Sequence, residues 1–147
     1  MFAIFKKSGI FITVCRHGFL LTICDMHSMK YPIASLNKLM EVFGKNILYG
    51  YDIKCALEKI LLRSSLANHI KELNLHGVVP AFHGHAHNHL CQVQHYSKYK
   101  VGAGKEDFET CERHLKLRNA TEFHRHQTLD EHFRFADMDK YANLCTS

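Results

Sequence analysis

The sequence predicts an α/β fold in a chain of 147 residues. Two apolar segments rich in β-branched and aromatic residues, Gly9–Cys15 and Phe19–Cys24, flank a turn with a glycine and predict a β-hairpin. Helical apolar spacing over Tyr31–Gly44 follows, and then a short apolar strand from Ile47 to Asp52. Because a helix and a further strand come after the hairpin, we expect a mixed sheet flanked by helices.

The remainder of the chain continues the alternation of helices and strands. The spacing of apolar residues predicts two helices, a short strand with Pro80 near its end, and two charged helices, at Cys55–Leu66, Asn68–Leu75, His76–Phe82, Asp107–Leu117 and Phe123–Tyr141. No internal repeat or linker interrupts them. We therefore expect one domain over residues 1–147, with the core at roughly 9–118 and a helical segment at 119–147.

The composition excludes several classes of protein. An apolar fraction of 46% is that of a globular domain, and no apolar run is long enough to span a bilayer. The run Ile10–Cys15 is too short for a signal peptide, and six scattered cysteines indicate free thiols in an intracellular protein. The net charge of +5 permits a polyanionic partner, and the lysines of Lys98–Lys105 suit either a DNA backbone or an ordinary solvated surface.

Asp52 is the first candidate for chemistry. A carboxylate at the carboxyl end of an interior strand lies where open α/β sheets place their ligand sites. The alternative is that Asp52 caps the following helix by accepting hydrogen bonds from its free backbone N–H groups.

The histidine-rich run His83–Cys91 is the second candidate. Its four histidines alternate, so an extended chain would place them on one face, whereas a helix would separate them. His87 and Cys91 are four residues apart and share a face if a helix starts here. Nitrogen and sulfur ligands of this kind suit zinc, with Cys15 and His17 as conceivable further ligands. The alternative is a polar loop with one or two core histidines.

The acidic segment that contains Glu109 and Glu112 is the third candidate. On a helix these residues share a face, and Glu109 with Arg113 forms an i,i+4 pair, which is also the pattern of a solvated surface. The glycines just upstream provide a flexible loop. If this loop brings Glu109 to Asp52, the two carboxylates are hard oxygen ligands suited to Mg²⁺.

Several of these motifs occur together in one known family. Taken in order, the sequence resembles the transposase domain of Kyakuja–Dileera–Zisupton elements, in particular the fungal copies. The resemblance is carried by five runs of residues, namely 9–18, 49–55, 82–92, 106–113 and 130–143.

The resemblance implies a ribonuclease H-like core with an Asp-Asp-Glu site that cuts and joins DNA with Mg²⁺ or Mn²⁺. It implies that Asp52 is the second aspartate and that Glu109 is the glutamate, with Glu112 as the competing choice. His87 and Cys91 match a His…Cys pair beside that site, which is either structural or metal-binding. Nuclear localisation and DNA as partner follow from the resemblance alone.

The sequence also departs from the family pattern. The first aspartate of the triad belongs on a strand before the Gly9–Cys15 hairpin, and Lys6, Lys7 and Ser8 stand where relatives carry acidic residues. We therefore expect a truncated core without cleavage activity of its own. The alternative function is a non-catalytic module that binds nucleic acid or zinc through residues 83–91.

Overall fold

Helices and strands alternate along the chain. The computed structural model describes residues 9–26, 28–111 and 122–145. The elements are β1 (Gly9–Val14), β2 (Leu20–Met26), α1 (Lys30–Phe43), β3 (Leu48–Gly50), α2 (Lys54–Leu61), α3 (Ala67–Glu72), β4 (His76–Val78), α4 (His89–His95) and α5 (Glu122–Cys145), with short 3₁₀ turns at His83–Ala86 and Ser97–Tyr99. The described residues fall into two compact units, one formed by residues before 32 and from 110 onward, the other by residues 32–109.

The first unit contains the predicted hairpin, and the prediction is confirmed. Strands β1 and β2 pair antiparallel, with Gly9 opposite Met26 and Ile12 opposite Ile23. The turn between them places Gly18 at a φ of 84°, a conformation that glycine adopts without steric cost.

The core of the first unit lies where the hairpin meets α5. Ile12, Leu129 and Phe133 are buried together, and Ile10 and Leu20 pack against them at the edge.

No helix in the described part of the chain is both long enough and apolar enough to cross a bilayer.

The second unit begins with α1 and then forms a parallel crossover. Helix α1 follows the predicted span and buries Leu36, Leu39 and Met40, and it ends before Gly44, whose φ of 74° is typical of a residue that terminates a helix. Strands β3 and β4 pair parallel, with Leu48 opposite His76, and α2 and α3 form the connection between them. Parallel neighbours need such a crossover because the end of the first strand and the start of the second lie at opposite edges of the sheet.

The pairing of the strands differs from the single mixed sheet that we expected. The described strands form two separate two-stranded sheets, β1 with β2 and β3 with β4. Apolar patterning identifies a segment as a strand, whereas its partner depends on turn geometry and on the length of the crossover. The mixed α/β composition is confirmed. The ribonuclease H-like core and the single-domain organisation stay predictions.

One open alternative is decided, and one local prediction is wrong. The run His83–Cys91 is not extended, because it forms a 3₁₀ turn and then the first residues of α4. The acidic helix does not begin at Asp107, since Glu106–Glu109 is irregular and helical structure starts at Thr110. Phe108 has a φ of 60°, which breaks a helix at that position.

A buried lysine lies beside β4. The Nζ of Lys54 is 2.8 Å from Glu58 Oε2 and 2.7 Å from His95 Nδ1, and its side chain is only 4% exposed. Because an ammonium group can only donate, His95 Nδ1 must accept and the ring is neutral. Burial, and next the charge of Lys54, lower the pKa of His95 from its ordinary value of 6.5.

We expect this histidine to make stability depend on pH. Glu58 opposes the lowering of the His95 pKa, while Lys54, Lys100 and His87 add to it. A folded-state pKa below the unfolded value gives stability that is fully present above about pH 6.5 and is lost as pH falls through the folded pKa. The free energy of unfolding, measured with urea and a chelator, should therefore decrease between pH 7.5 and pH 5.5.

Two variants separate the contribution of His95 to the pH dependence of stability from that of the other histidines. His95→Asn keeps an acceptor near the Nδ1 position but does not titrate, so it should lose less stability at pH 5.5 than the parent chain. His89→Asn changes an exposed histidine at the start of α4 and should keep the parent's pH dependence. An unchanged pH dependence in His95→Asn would contradict the assignment.

Candidate metal and carboxylate site

Two turns at one edge of the β3–β4 pair bring the candidate residues together. Asp52 follows β3, and His83 lies in the turn that follows β4. Because the two strands run parallel, their carboxyl ends lie at the same edge, which is the usual position of ligand sites in parallel sheets.

Three side chains meet at this edge, and we call them the carboxylate cluster: Asp52, His83 and Glu109. The Nδ1 atom of His83 lies 3.5 Å from Asp52 Oδ1 and 3.5 Å from Glu109 Oε2. This nitrogen is buried and forms no hydrogen bond. Two carboxylates directed at one position would favour a cation bound there.

Glu109 reaches the cluster through the irregular segment before Thr110. Its Oε1 accepts a hydrogen bond of 2.8 Å from the backbone N–H of Phe82, and its own N–H donates to Asp107 Oδ1. The segment lies against β3 because Gly50 has no side chain: a Cβ at Gly50 would lie 2.5 Å from Phe108 Cβ. The side chain of Glu109 is only 14% exposed, so its charge needs these partners.

Asp52 does not cap α2. The residue at the cap position is Ile53, and no side chain accepts a hydrogen bond from the first turn of the helix. The capping alternative is therefore wrong, and the Asp52 carboxylate, which is 44% exposed, lies on the open side of the cluster.

A second group, the thiol cluster, consists of Cys55, His87 and Cys91. Their donor atoms all lie within 4.8 Å of one another, and within the described residues this group of three could hold a metal ion such as zinc. The Nδ1 of His87 lies 3.2 Å from Cys91 Sγ and 3.7 Å from Cys55 Sγ. A tetrahedral zinc ion separates such donors by about 3.5–3.8 Å, so the spacing fits.

The ring of His87 is oriented for metal binding. Its Nε2 lies 2.9 Å from the backbone oxygen of Asp52. A carbonyl oxygen only accepts, so Nε2 carries the proton and the bare Nδ1 faces the two sulfur atoms. A histidine that donates its second ring N–H to a backbone carbonyl is the usual arrangement around protein-bound metals.

Local hydrogen bonds hold Cys91 beside His87. Asn88 caps α4 by accepting a bond of 2.9 Å from the N–H of Cys91, and Gln92 donates to the backbone oxygen of His87. Burial, and next the proximity of Cys55, raise the pKa of Cys91. Metal binding would displace the thiol protons, because the thiolate is the ligand.

The structure describes the positions of most of the residues chosen from the sequence. Asp52 and Glu109 converge on His83, and His87 and Cys91 are adjacent. Glu112 lies outside the described residues. The other proposed zinc ligands are not part of the thiol cluster, namely His83, His85, His89, Cys15 and His17.

Sequence reasoning missed Cys55 as a partner of His87 and Cys91, and His83 as a partner of the carboxylates. No local spacing signals either partner, because their proximity depends on the parallel pairing of β3 with β4. The donors of the carboxylate cluster do not form a group within 4.8 Å of one another, so nothing in its geometry selects Mg²⁺ or Mn²⁺.

Comparison with known proteins gives one match. Residues 1–137 match the family model described as KDZ, the Kyakuja-Dileera-Zisupton transposase. Comparisons with curated proteins and with solved structures gave no match.

Proposed function

Because the chain belongs to the Kyakuja-Dileera-Zisupton transposase family, we propose that the carboxylate cluster is part of a metal-dependent site for cutting and joining DNA strands. The observation that carries the proposal is the meeting of Asp52 and Glu109, distant in sequence, on the two sides of His83 Nδ1. The family indicates DNA as the partner.

The two carboxylates of the cluster offer the kind of ligand that a hydrated Mg²⁺ or Mn²⁺ ion would use. Such ions take oxygen ligands, keep several waters and use one or two carboxylates, and the unpartnered His83 nitrogen lies where a positive charge would offset both carboxylates. Asp52 and Glu109 would hold the ion. When bound, it would supply Lewis-acid activation at the phosphoryl group.

The fold around the cluster supports a ribonuclease H-like core as the ancestral architecture. Asp52 lies at the carboxyl end of a strand in a parallel crossover, and Glu109 comes from a later segment that is hydrogen-bonded beside the next turn, through Phe82. Two carboxylates stand at the cluster in the part of the chain that the structure describes. We propose that DNA cleavage by this chain alone is absent or very slow.

Cation binding tests the carboxylate proposal. Calorimetry with Mn²⁺ should show one site, and Asp52→Asn or Glu109→Gln should each weaken binding by at least about tenfold, because each removes one anionic ligand. Glu112→Gln, measured in parallel, decides between the two glutamates: if Glu109 is the ligand, Glu112→Gln binds as the parent does.

Glu41→Gln is the matched control, because Glu41 is an exposed residue of α1 whose carboxylate contacts Asn37 and Lys38 on the same helix. Binding that survives both Asp52→Asn and Glu109→Gln would refute the carboxylate site. A DNA-nicking assay completes the test, and cleavage that requires Mg²⁺ and disappears in Asp52→Asn would refute the proposed inactivity.

The second candidate function is a zinc-binding module, and the thiol cluster favours it. Two thiols and an imidazole nitrogen lie within bonding range of one ion, and zinc prefers these donors. The chain should bind one Co²⁺ or Zn²⁺ per molecule under reducing conditions. Cobalt should show absorption from thiolate ligands, which Cys55→Ser and Cys91→Ser should each diminish.

The controls for zinc binding are a cysteine and a histidine outside the cluster. Cys15→Ser and His89→Gln should leave the stoichiometry at one. Metal binding that depends on His89 or Cys15 but not on His87 would show that the histidine run binds ions elsewhere, and the thiol cluster would be excluded.

A further inference from the structure

The carboxylate cluster and the thiol cluster are built from the same two turns. The segment after β3 supplies Asp52, in the turn, to the first cluster and Cys55, in the first turn of α2, to the second. The turns after β4 supply His83 to the first and His87 to the second. A change in the separation of the two turns would therefore move donors of both clusters.

One hydrogen bond joins the clusters directly. The Nε2–H of His87 donates to the backbone oxygen of Asp52, while Nδ1 of the same ring faces the sulfur atoms of Cys55 and Cys91. The ring thus connects the thiol cluster to the peptide unit that carries the candidate carboxylate. The Asp52 carboxylate lies 3.5 Å from His83 Nδ1, which is too far for a firm hydrogen bond.

We infer that zinc bound by Cys55, His87 and Cys91 cross-links the two turns and positions Asp52 for cation binding in the carboxylate cluster. His87 and the two cysteines are positioning residues, since they act through Asp52. Binding at either cluster then favours the same arrangement of the turns, and the coupling must be reciprocal: each ion raises the affinity of the other by the same factor. The coupling to the second ion rests on the proposed carboxylate site, whereas the cross-link does not.

The cross-link is tested first, by hydrogen exchange of the full chain with and without Zn²⁺ under reducing conditions. The amides of Lys54 and Ala56 bond to Tyr51 and Ile53 within the turn, and their exchange should slow at least about tenfold when zinc binds. Peptides from the β1–β2 hairpin should be unaffected. Cys91→Ser, which leaves the His87–Asp52 bond intact, should abolish the slowing.

The coupling is tested next, by Mn²⁺ titration of zinc-free and zinc-loaded protein. Zinc should raise the Mn²⁺ affinity at least about fivefold, and Mn²⁺ should raise the zinc affinity equally. His87→Cys provides the decisive variant, because it keeps a zinc ligand but removes the ring nitrogen that bonds Asp52. This variant should bind zinc and yet lose the gain in Mn²⁺ affinity.

The outcomes distinguish this inference from the proposed function. Zinc binding without slower exchange at residues 54–56 overturns the cross-link, and an undiminished gain of Mn²⁺ affinity in His87→Cys overturns the role of His87. Slower exchange with zinc, in a chain that never binds Mn²⁺, supports the cross-link and refutes the carboxylate proposal alone.

Discussion

Replacing Gly84 with alanine is expected to destabilise the second unit by about 3 kcal/mol, a cost typical of forcing extra atoms into a well-packed core. A Cβ at Gly84 would lie 2.2 Å from Cε2 and 2.4 Å from Cδ2 of Tyr96. Tyr96 cannot easily move away, because it is 5% exposed and its hydroxyl donates to the backbone oxygen of Ala81. Urea unfolding of Gly84→Ala beside the parent chain measures the cost.

The same substitution should impair both clusters. Gly84 belongs to the turn that carries His83 and leads to His87, so displacement of this turn should weaken Zn²⁺ and Mn²⁺ binding together. Ala86→Ser is the matched control, since Ala86 is an exposed residue of the same turn.

A double-mutant cycle identifies the cause. Tyr96→Leu removes Cε2 and Cζ, two of the ring atoms that a Cβ at Gly84 would meet, so the two substitutions should be strongly non-additive. Additive effects, or a loss of stability below about 0.5 kcal/mol in Gly84→Ala, would show that the turn relaxes without cost.

An element could be predicted from the sequence where local patterning determines it, and could not where tertiary contacts determine it. The hairpin, α1 and the strand before Asp52 were predictable because short-range apolar patterning and turn glycines determine them. The position of Glu109 was only partly predictable. An acidic segment after a glycine-containing loop could be expected to reach Asp52. The positive φ of Phe108 and the hydrogen bond from the Phe82 N–H to Glu109 depend on tertiary contacts, and with them the helix begins later than predicted.

The thiol cluster shows the same limit more clearly. His87 and Cys91 could be grouped because a four-residue spacing is local. Cys55 could not be added, because its proximity depends on the parallel pairing of β3 with β4, which no local pattern encodes. Likewise, the alternation of histidines in His83–Cys91 left an extended face and a helix open as alternatives. The 3₁₀ turn separates His83 from His87, so that the two residues belong to different clusters.

Zinc is expected to stabilise the folded chain by about 4 kcal/mol when its free concentration is a thousand times the dissociation constant, since ligand bound only to the native state shifts the unfolding equilibrium by mass action. The donors of the thiol cluster come from α2, from His87 two residues before α4, and from α4 itself, so the unfolded chain does not hold them together. Urea unfolding with zinc and with a chelator, in the presence of a reducing agent, measures the difference.

Variants of single cysteines separate this effect from nonspecific binding. Cys55→Ser should remove most of the zinc-dependent stability, whereas Cys15→Ser, in the β1–β2 hairpin unit, should retain it. Equal stabilisation of both variants would exclude the thiol cluster as the site. Strands β3 and β4 have only three residues each and therefore stabilise the second unit only weakly. A large loss of zinc-dependent stability confined to Cys55→Ser would mean that a bound metal supplies stability that these short strands do not.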